Sequence, residues 1–205
     1  MRHLGSVRIY ESVLRRLAAA GHDVIVVANR RDSLVSKEPP EQLLAGVPGV
    51  RLAWDETSPN AWLELGIAVR IWRDYLRYFE PRYATFPRVR TRVGERVPAL
   101  LRRITEWPLV RSRAGRRALV GLLKAVERAL PRQPALDAMM DEHRPDIVLL
   151  TPVLHLGSSQ IELLRSARSS GARTALCVAS WDHLASKSLI RELPDRVFVW
   201  NDIQK

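Results

Sequence analysis

The segment "ASWDHLASK", residues 179–187, carries several side chains that could bind a polar ligand and act on it. The indole of Trp181 could stack on a sugar or a base, and Asp182 could orient or deprotonate a hydroxyl group. His183 or Lys187 could contact a phosphate. The structural alternatives are that Trp181 packs against a neighbouring helical region and that Asp182 caps the turn that follows it.

A second candidate is "TPVLHLGSS", residues 151–159, in which His155 stands just before Gly-Ser-Ser. An imidazole titrates near neutral pH, so His155 could act as a general base toward an acceptor hydroxyl. The alternative is a loop histidine with a structural hydrogen bond only. Ser158 and Ser159 open a predicted helix, and its N-terminal N–H groups form a modest anion site.

Ligands of open α/β sheets gather at the carboxyl ends of the strands, and this rule selects the loops at 1–6, 29–33, 151–159 and 180–187. These patterns predict two kinds of site residue. The predicted catalytic residues are Asp182 and His155. The predicted substrate-binding residues are Trp181, His183, Lys187, Ser158, Ser159, His3 and Arg8. His3 and Arg8 lie around the start of the first predicted helix, in the loop that would connect a preceding strand to that helix. The alternative is that this loop is an ordinary connection with no functional role.

Several motifs of other chemistries are absent from the sequence. It has no Cys/His spacing for zinc, no Gly-x-Ser-x-Gly, no Gly-x-Gly-x-x-Gly, no Walker lysine and no Asp-x-Asp. We therefore predict no bound metal and no bound cofactor.

The elements that must position these residues alternate between strand and helix. Short apolar runs rich in β-branched residues predict strands at 23–28, 50–54, 146–151, 173–179 and 195–200. A 3.6-residue period predicts a helix from Val7 to Ala20 that Gly21 ends, and another over 160–169 that Gly171 ends. This alternation predicts an α/β fold with a Rossmann-like parallel sheet. Residues 60–144 predict a helical, Arg-rich insertion punctuated by prolines. Within it, an apolar stripe that begins at Trp62 and an amphipathic pattern over 118–130 each predict a helix. A further weak helix is predicted over 40–45.

The net charge of +11 is concentrated in one part of the chain. Residues 82–133 hold fourteen Lys/Arg against three Glu, a balance of +11, while the remainder of the chain is neutral. Such a block can meet a phosphate-rich partner: nucleic acid, an anionic membrane surface or a phosphorylated substrate. The alternative is a solvated helical face. Nucleic acid is disfavoured, because aromatic side chains do not interleave with the charges as stacking platforms.

The single cysteine, Cys177, lies in an apolar run, and no apolar stretch approaches the ~18 residues that span a bilayer. Both features favour a cytoplasmic protein, with peripheral contact at the inner membrane face through residues 82–133 as an option.

Two stretches resemble a known superfamily. "RIYESVLRRLAAAGHDVIVVANR" resembles the opening of GT-B glycosyltransferases, in which a helix ending in Leu-Ala-x-x-Gly-His-x-Val precedes the second strand. The run from "PDIVLLTPVLHLGSS" to "DRVFVWNDIQK" resembles the close of their N-terminal half. "RDYLRYFEPRY" is similar to a helical insertion in a poorly characterised bacterial subset.

The resemblance implies that residues 1–205 form one incomplete Rossmann-like domain, the acceptor-side half of a GT-B protein. It also implies that the first strand of this domain is missing and that the C-terminal nucleotide-sugar domain is absent. A nucleotide-sugar donor is expected only with that domain, so the half is expected to be inactive alone. The acceptor, a small molecule or a lipid-linked one, would meet the loops around His3, His155 and Asp182. The alternatives are a non-catalytic basic module that binds nucleic acid or an anionic membrane, and a same-fold epimerase or polyol-phosphate transferase fragment.

Overall fold

A computed structural model of the chain describes residues 7–29, 47–151, 155–178, 180 and 187–204, with only the backbone of Arg8. The N-terminal part contains α1 (Val7–Ala19), β1 (Val24–Asn29) and β2 (Val50–Asp55). Helices follow: α2 (Ala61–Arg77), a 3₁₀ turn (Pro81–Tyr83), α3 (Pro87–Gly94), α4 (Ala99–Thr105), α5 (Pro108–Arg111), α6 (Arg113–Ala129) and α7 (Pro134–His143). The C-terminal part contains β3 (Ile147–Leu150), α8 (Gln160–Ser169), β4 (Arg173–Cys177), β5 (Arg196–Phe198) and a 3₁₀ turn (Asp202–Gln204).

All the described strand pairs are parallel, which confirms the α/β class with parallel sheets. β1 pairs with β2, and β4 lies between β3 and β5 in a second sheet. Within the described ranges, β1 and β3 do not pair with each other, so the strands form two sheets. The Tyr10 hydroxyl of α1 links the first sheet to the second, because it shares a 2.8 Å hydrogen bond with Thr151 Oγ1 at the end of β3.

The predicted helix end at Gly21 is confirmed. Gly21 has φ +85°, a left-handed conformation that favours glycine, and the backbone N–H groups of Gly21 and His22 donate to the carbonyls of Ala18 and Leu17. Strand β1 then lies between two layers. Val26 and Ala28 pack on α1, while Val27 contacts the apolar cluster of α7 and α8.

The strand predicted at 146–151 is confirmed, but it is buried on one face only. Leu150 is buried against α8 and Val148 packs beside α7. Ile147 and Leu149 point to the opposite face and are 57% and 45% exposed. The reason is that α7 and α8 cover one face of this sheet only, whereas a continuous apolar run by itself predicts cover on both faces.

Helix α2 is the centre of the helical segment. Its Val69, Trp72 and Leu76 are buried with Val93 and Leu123. The stripe predicted to begin at Trp62 is buried only from its second turn onward, because Trp62 and Leu65 are exposed.

Prolines separate the shorter helices of this segment. Pro87, Pro108 and Pro134 each stand at the first turn of a helix, where the missing N–H costs no hydrogen bond. The helix predicted over 118–130 begins earlier, at Arg113, because the Ser112 hydroxyl caps it by accepting from Gly115 N–H. The weak helix predicted over 40–45 lies outside the described residues.

Candidate functional site

A small pocket lies where β1 and β2 end. Asn29 and Asp55, the last residues of these strands, are partners in the parallel register and both line the pocket. Ligands of open α/β sheets gather at this carboxyl edge. Its described wall also includes side chains from the helical segment and from the start of α8: Thr57, Leu63, Gln133, Leu136, His155, Ser159, Gln160 and Glu162. Its volume is about 60 Å³, which has room for a few water molecules or one polar substituent of a ligand.

The carboxylate of Asp55 is held in place by its neighbours. Asp55 Oδ2 accepts a 3.3 Å hydrogen bond from the Asn29 amide, and Oδ1 accepts a 2.9 Å bond from the backbone N–H of Thr57. The second bond closes a turn directly after the strand. The orientation of this carboxylate at the pocket wall is therefore set by the strand register and by one local turn.

His155 reaches the pocket from a tight turn that packs on α2. The turn closes through a 3.1 Å bond from Ser158 N–H to the His155 carbonyl. Gly157 adopts φ +70°, and a Cβ there would lie 2.9 Å from Ile67 and 3.0 Å from Ile71. Only glycine meets both demands, so the turn that carries His155 is fixed by close contact with α2.

Two buried polar atoms at the pocket wall have no hydrogen-bond partner among the described residues. They are Thr57 Oγ1 and Gln160 Oε1. The amide of the same Gln160 donates from Nε2 to the Thr151 carbonyl at 3.0 Å, so its oxygen is the end left for another donor. Buried polar atoms are normally paired, and a water molecule or a ligand hydroxyl would satisfy both of these.

A network of buried ions lies behind the pocket and joins its parts. Arg70 of α2, 1% exposed, donates from Nε to Glu127 at 3.2 Å and from Nη1 to Glu162 at 3.1 Å. It also donates to the Ser158 carbonyl at 2.6 Å. Burial raises the pKa of Glu162 above its ordinary value, and the Arg70 guanidinium opposes that rise. Glu162 lines the pocket, but its carboxylate is committed to Arg70.

The same network extends to the residues after the 181–186 segment. Arg191 donates to Asp74 at 2.8 Å, and the Ser188 hydroxyl donates to the same carboxylate at 2.8 Å. Burial raises the pKa of Asp74, and Arg191 is the largest influence that opposes it. Burial likewise lowers the pKa of Arg191. These pairs tie α2 to the chain that follows β4, and their role is structural.

The structure brings two of the predicted site residues, His155 and Ser159, into one pocket. Ser159 is exposed at the start of α8, where its side chain makes no capping hydrogen bond. Ser158 is buried, its hydroxyl accepts from Gln160 N–H at 3.3 Å, and its carbonyl accepts from Arg70. The half-buried Lys187 accepts a 2.7 Å bond at its carbonyl from Arg77.

The remaining predictions cannot be placed in this site. Trp181, Asp182, His183 and His3 lie outside the described residues, and so does the side chain of Arg8.

Sequence reasoning missed Asp55, Thr57 and Gln160. Asp55 directly follows a predicted strand, so the rule that selected the other loops at strand ends would also have selected it. Glu162 and Gln133 gave no such signal, because each reads as an ordinary polar residue of a helix or a helix start.

A larger, open hollow of about 620 Å³ lies at the opposite edge, around the first residues of β3 and β4, Ile147 and Arg173. Its Arg144 has φ 41° in the turn that ends α7. This edge carries the amino ends of the strands, so it is the less favourable place for a ligand in this fold despite its size.

Among the residues that the structure describes, no group of three or more His, Cys, Asp or Glu could hold a metal ion. No helix in the same ranges has the length and apolar character to cross a bilayer. No protein-family model, curated protein or solved structure matches the chain.

Proposed function

We propose that the chain is the acceptor-side part of a GT-B-like glycosyltransferase, which moves a sugar from a nucleotide-sugar to an acceptor hydroxyl. The observation that carries the proposal is the pocket at the ends of β1 and β2. It combines the Asp55 carboxylate and the His155 imidazole with Thr57 Oγ1 and Gln160 Oε1, which have no hydrogen-bond partner among the described residues. A carboxylate or an imidazole can take the proton of an attacking hydroxyl. The sequence resemblance supplies the reaction type.

In this proposal one hydroxyl of the acceptor enters the pocket and the rest of the acceptor lies outside it. A volume of about 60 Å³ admits a substituent, whereas sites for whole drug-sized ligands measure roughly 300–1,000 Å³. The hydroxyl would donate to Gln160 Oε1 or to the Asp55 carboxylate. The nucleotide-sugar would be bound by a further GT-B domain, as in the family that the sequence resembles.

Saturation-transfer NMR of the chain with a panel of mono- and disaccharides tests the acceptor role. We expect binding by the wild-type chain and a loss of about tenfold or more in affinity for Asp55→Asn, since a hydrogen bond to a charged group contributes about 1.5–3 kcal/mol. His155→Gln should weaken binding as well. Matched controls are Asp137→Asn, whose partly exposed carboxylate pairs with Arg132, and His22→Gln, an exposed histidine before β1.

The absence of saturation transfer from every saccharide, or equal weakening by the control variants, would contradict the proposal. A thermal unfolding curve of each variant separates loss of the pocket from loss of the fold. An epimerase or polyol-phosphate transferase on the same fold remains the alternative, and the product formed with a donor-binding domain present distinguishes the three reactions.

A further inference from the structure

The basic block of residues 82–133 carries a charge that the residues described by the structure leave largely unneutralised. Arg82 and Arg132 form surface ion pairs, with Glu80 and Asp137. The other twelve basic side chains of the block form no ion pair with any residue that the structure describes. Glu127, one of its three acids, is buried and pairs instead with Arg70 and Arg73 of α2. The outward-facing charge is therefore stronger than the sequence count suggests.

Large apolar side chains are exposed within this basic surface. Leu100 is 67% exposed, Trp107 58% and Leu109 78%. Leu100, Arg103 and Trp107 follow one another at spacings of three and four residues, so they lie along one side of α4 and the turn that extends it. That turn is held by a 3.2 Å bond from Trp107 N–H to the Ile104 carbonyl.

The opposite side of α4 is anchored to the core. Leu101 and Ile104 pack against the cluster around Trp72, and the Trp72 indole N–H donates to Thr105 Oγ1 at 2.8 Å. The anchoring fixes which side of α4 faces outward. Leu100 and Trp107 are thus held at the surface by the fold rather than by chance exposure of a loose segment.

The short helix α5, which contacts α4, adds the exposed side chains of Leu109 and Arg111. α5 packs tightly on the first turn of α6, because a Cβ on Gly115 would lie 1.8 Å from the Leu109 carbonyl oxygen. The Ser112 hydroxyl donates to the same carbonyl at 2.7 Å, and Arg116 donates to the Arg111 carbonyl at 2.7 Å. These contacts present Leu109, Arg111 and Arg113 together, all exposed.

We name this surface the Trp107 patch; it consists of Leu100, Arg103, Trp107, Leu109, Arg111 and Arg113. We propose that the Trp107 patch docks the protein on an anionic lipid membrane. The arginines would contact phosphate headgroups, and the indole and leucines would enter the boundary between headgroups and acyl chains. Tryptophan is enriched at this boundary because its ring is amphipathic.

The exposed leucines favour a lipid over a nucleic acid. Binding of single-stranded nucleic acid uses aromatic platforms in a basic groove, and aliphatic side chains have no stacking partner there. In a membrane, by contrast, burial of Leu100 and Leu109 removes apolar surface from water. The described helices do not cross a bilayer, so the protein would lie on the surface. This inference does not depend on the pocket at Asp55.

Flotation of the whole chain with vesicles tests the inference. The vesicles are phosphatidylcholine alone, and phosphatidylcholine with about 30% phosphatidylglycerol, at low salt and at about 0.5 M NaCl. We expect binding to the anionic vesicles only, with most of it lost at high salt. The double variant Trp107→Ser/Leu109→Ser should lower the partition coefficient roughly tenfold, since two exposed apolar side chains no longer enter the lipid. Arg111→Gln/Arg113→Gln should lower it about fivefold per residue.

Matched controls lie outside the block. Trp62 and Leu193 are similarly exposed, at 56% and 68%, and Arg15 and Arg16 are exposed on α1. The variants Trp62→Ser/Leu193→Ser and Arg15→Gln/Arg16→Gln should bind as the wild type does. Equal binding to neutral vesicles, or equal losses in patch and control variants, would overturn the inference. Binding of a fluorescent RNA oligomer without any vesicle binding would overturn it too and would assign the basic surface to nucleic acid.

Discussion

Arg70 and Glu162 form a buried ion pair across 92 residues of sequence. Arg70 lies on α2 and Glu162 in the first turn of α8, so the pair joins the helical segment to the sheet that follows it. Arg70 also holds the carbonyl of Ser158, in the turn that presents His155. The pair thus connects the stability of the protein to the geometry of its candidate site.

Removal of Arg70 should destabilise the protein strongly. Arg70→Met leaves the buried carboxylate of Glu162 without its ion-pair partner and removes one of the partners of Glu127. Removal of one side of a buried pair costs about 3–5 kcal/mol. Urea unfolding measures the change. Arg15→Met is the control, because Arg15 and Glu11 form an exposed pair that contributes less than about 1 kcal/mol. Similar losses in both variants would show that the buried network does not stabilise the fold.

Gly157→Ala should destabilise the turn below His155. The left-handed φ of +70° and the approach of Ile67 and Ile71 both oppose a Cβ, and we expect a loss of about 1–3 kcal/mol. Gly121→Ala in α6 is the matched control. A Cβ at Gly121 meets nothing within 4 Å, and alanine in a helix interior is better than glycine by about 0.5–1 kcal/mol. The two alanine variants should therefore shift the unfolding midpoint in opposite directions, and a shift in the same direction would refute this account.

Tyr10→Phe should loosen the contact between α1 and the second sheet. The variant loses the 2.8 Å bond with Thr151 Oγ1 and the 3.3 Å bond to the Cys177 carbonyl, and we expect a loss of about 1 kcal/mol. Hydrogen exchange of the Cys177–Val178 amides should become faster, while exchange in α6 stays as it was. Unchanged exchange at the end of β4 would mean that the hydroxyl does not couple the two parts.

Asp195 should make the free energy of unfolding of the protein depend on pH in the acid range. Its carboxylate accepts from the backbone N–H of Thr174 at 2.7 Å and from the Thr174 hydroxyl at 2.8 Å, and these bonds hold its pKa below the ordinary value of 3.8. The folded protein therefore binds the proton less readily than the unfolded chain does. The stabilisation is complete well above pH 3.8 and decreases as the pH falls through the pKa of the folded state.

The variant Asp195→Asn measures this dependence. The difference in free energy of unfolding between wild type and variant should be largest near neutral pH and should shrink below about pH 4. Glu95→Gln, at an exposed residue of the basic block, is the control. A difference that stays constant between neutral and acid pH would contradict the assignment.

Local patterns predicted the elements that depend on short-range physics. Gly21 and Gly171 end α1 and α8 with φ +85° and +82°, as glycine at a helix end does. The apolar runs predicted five parallel strands, although β5 is shorter than the predicted 195–200. The rule of strand ends predicted that Asn29 and His155 would lie at the carboxyl edge, and both line the pocket there.

The sequence by itself therefore determined the α/β class, the helix ends and the position of the basic block, because each depends on periodicity, on backbone preference or on a count of charges. Only the tertiary structure decided which polar residues are buried. Arg70 and Glu162 look like solvated charges on amphipathic helices. Arg70 is buried because Glu127, Ser158 and Glu162 meet it from distant parts of the chain. Likewise, Trp107 reads as a core residue by type and is exposed because Ile104 and Thr105 fill the inner side of α4. Long-range packing determines whether each of these side chains is buried or exposed, and no local sequence pattern encodes that packing.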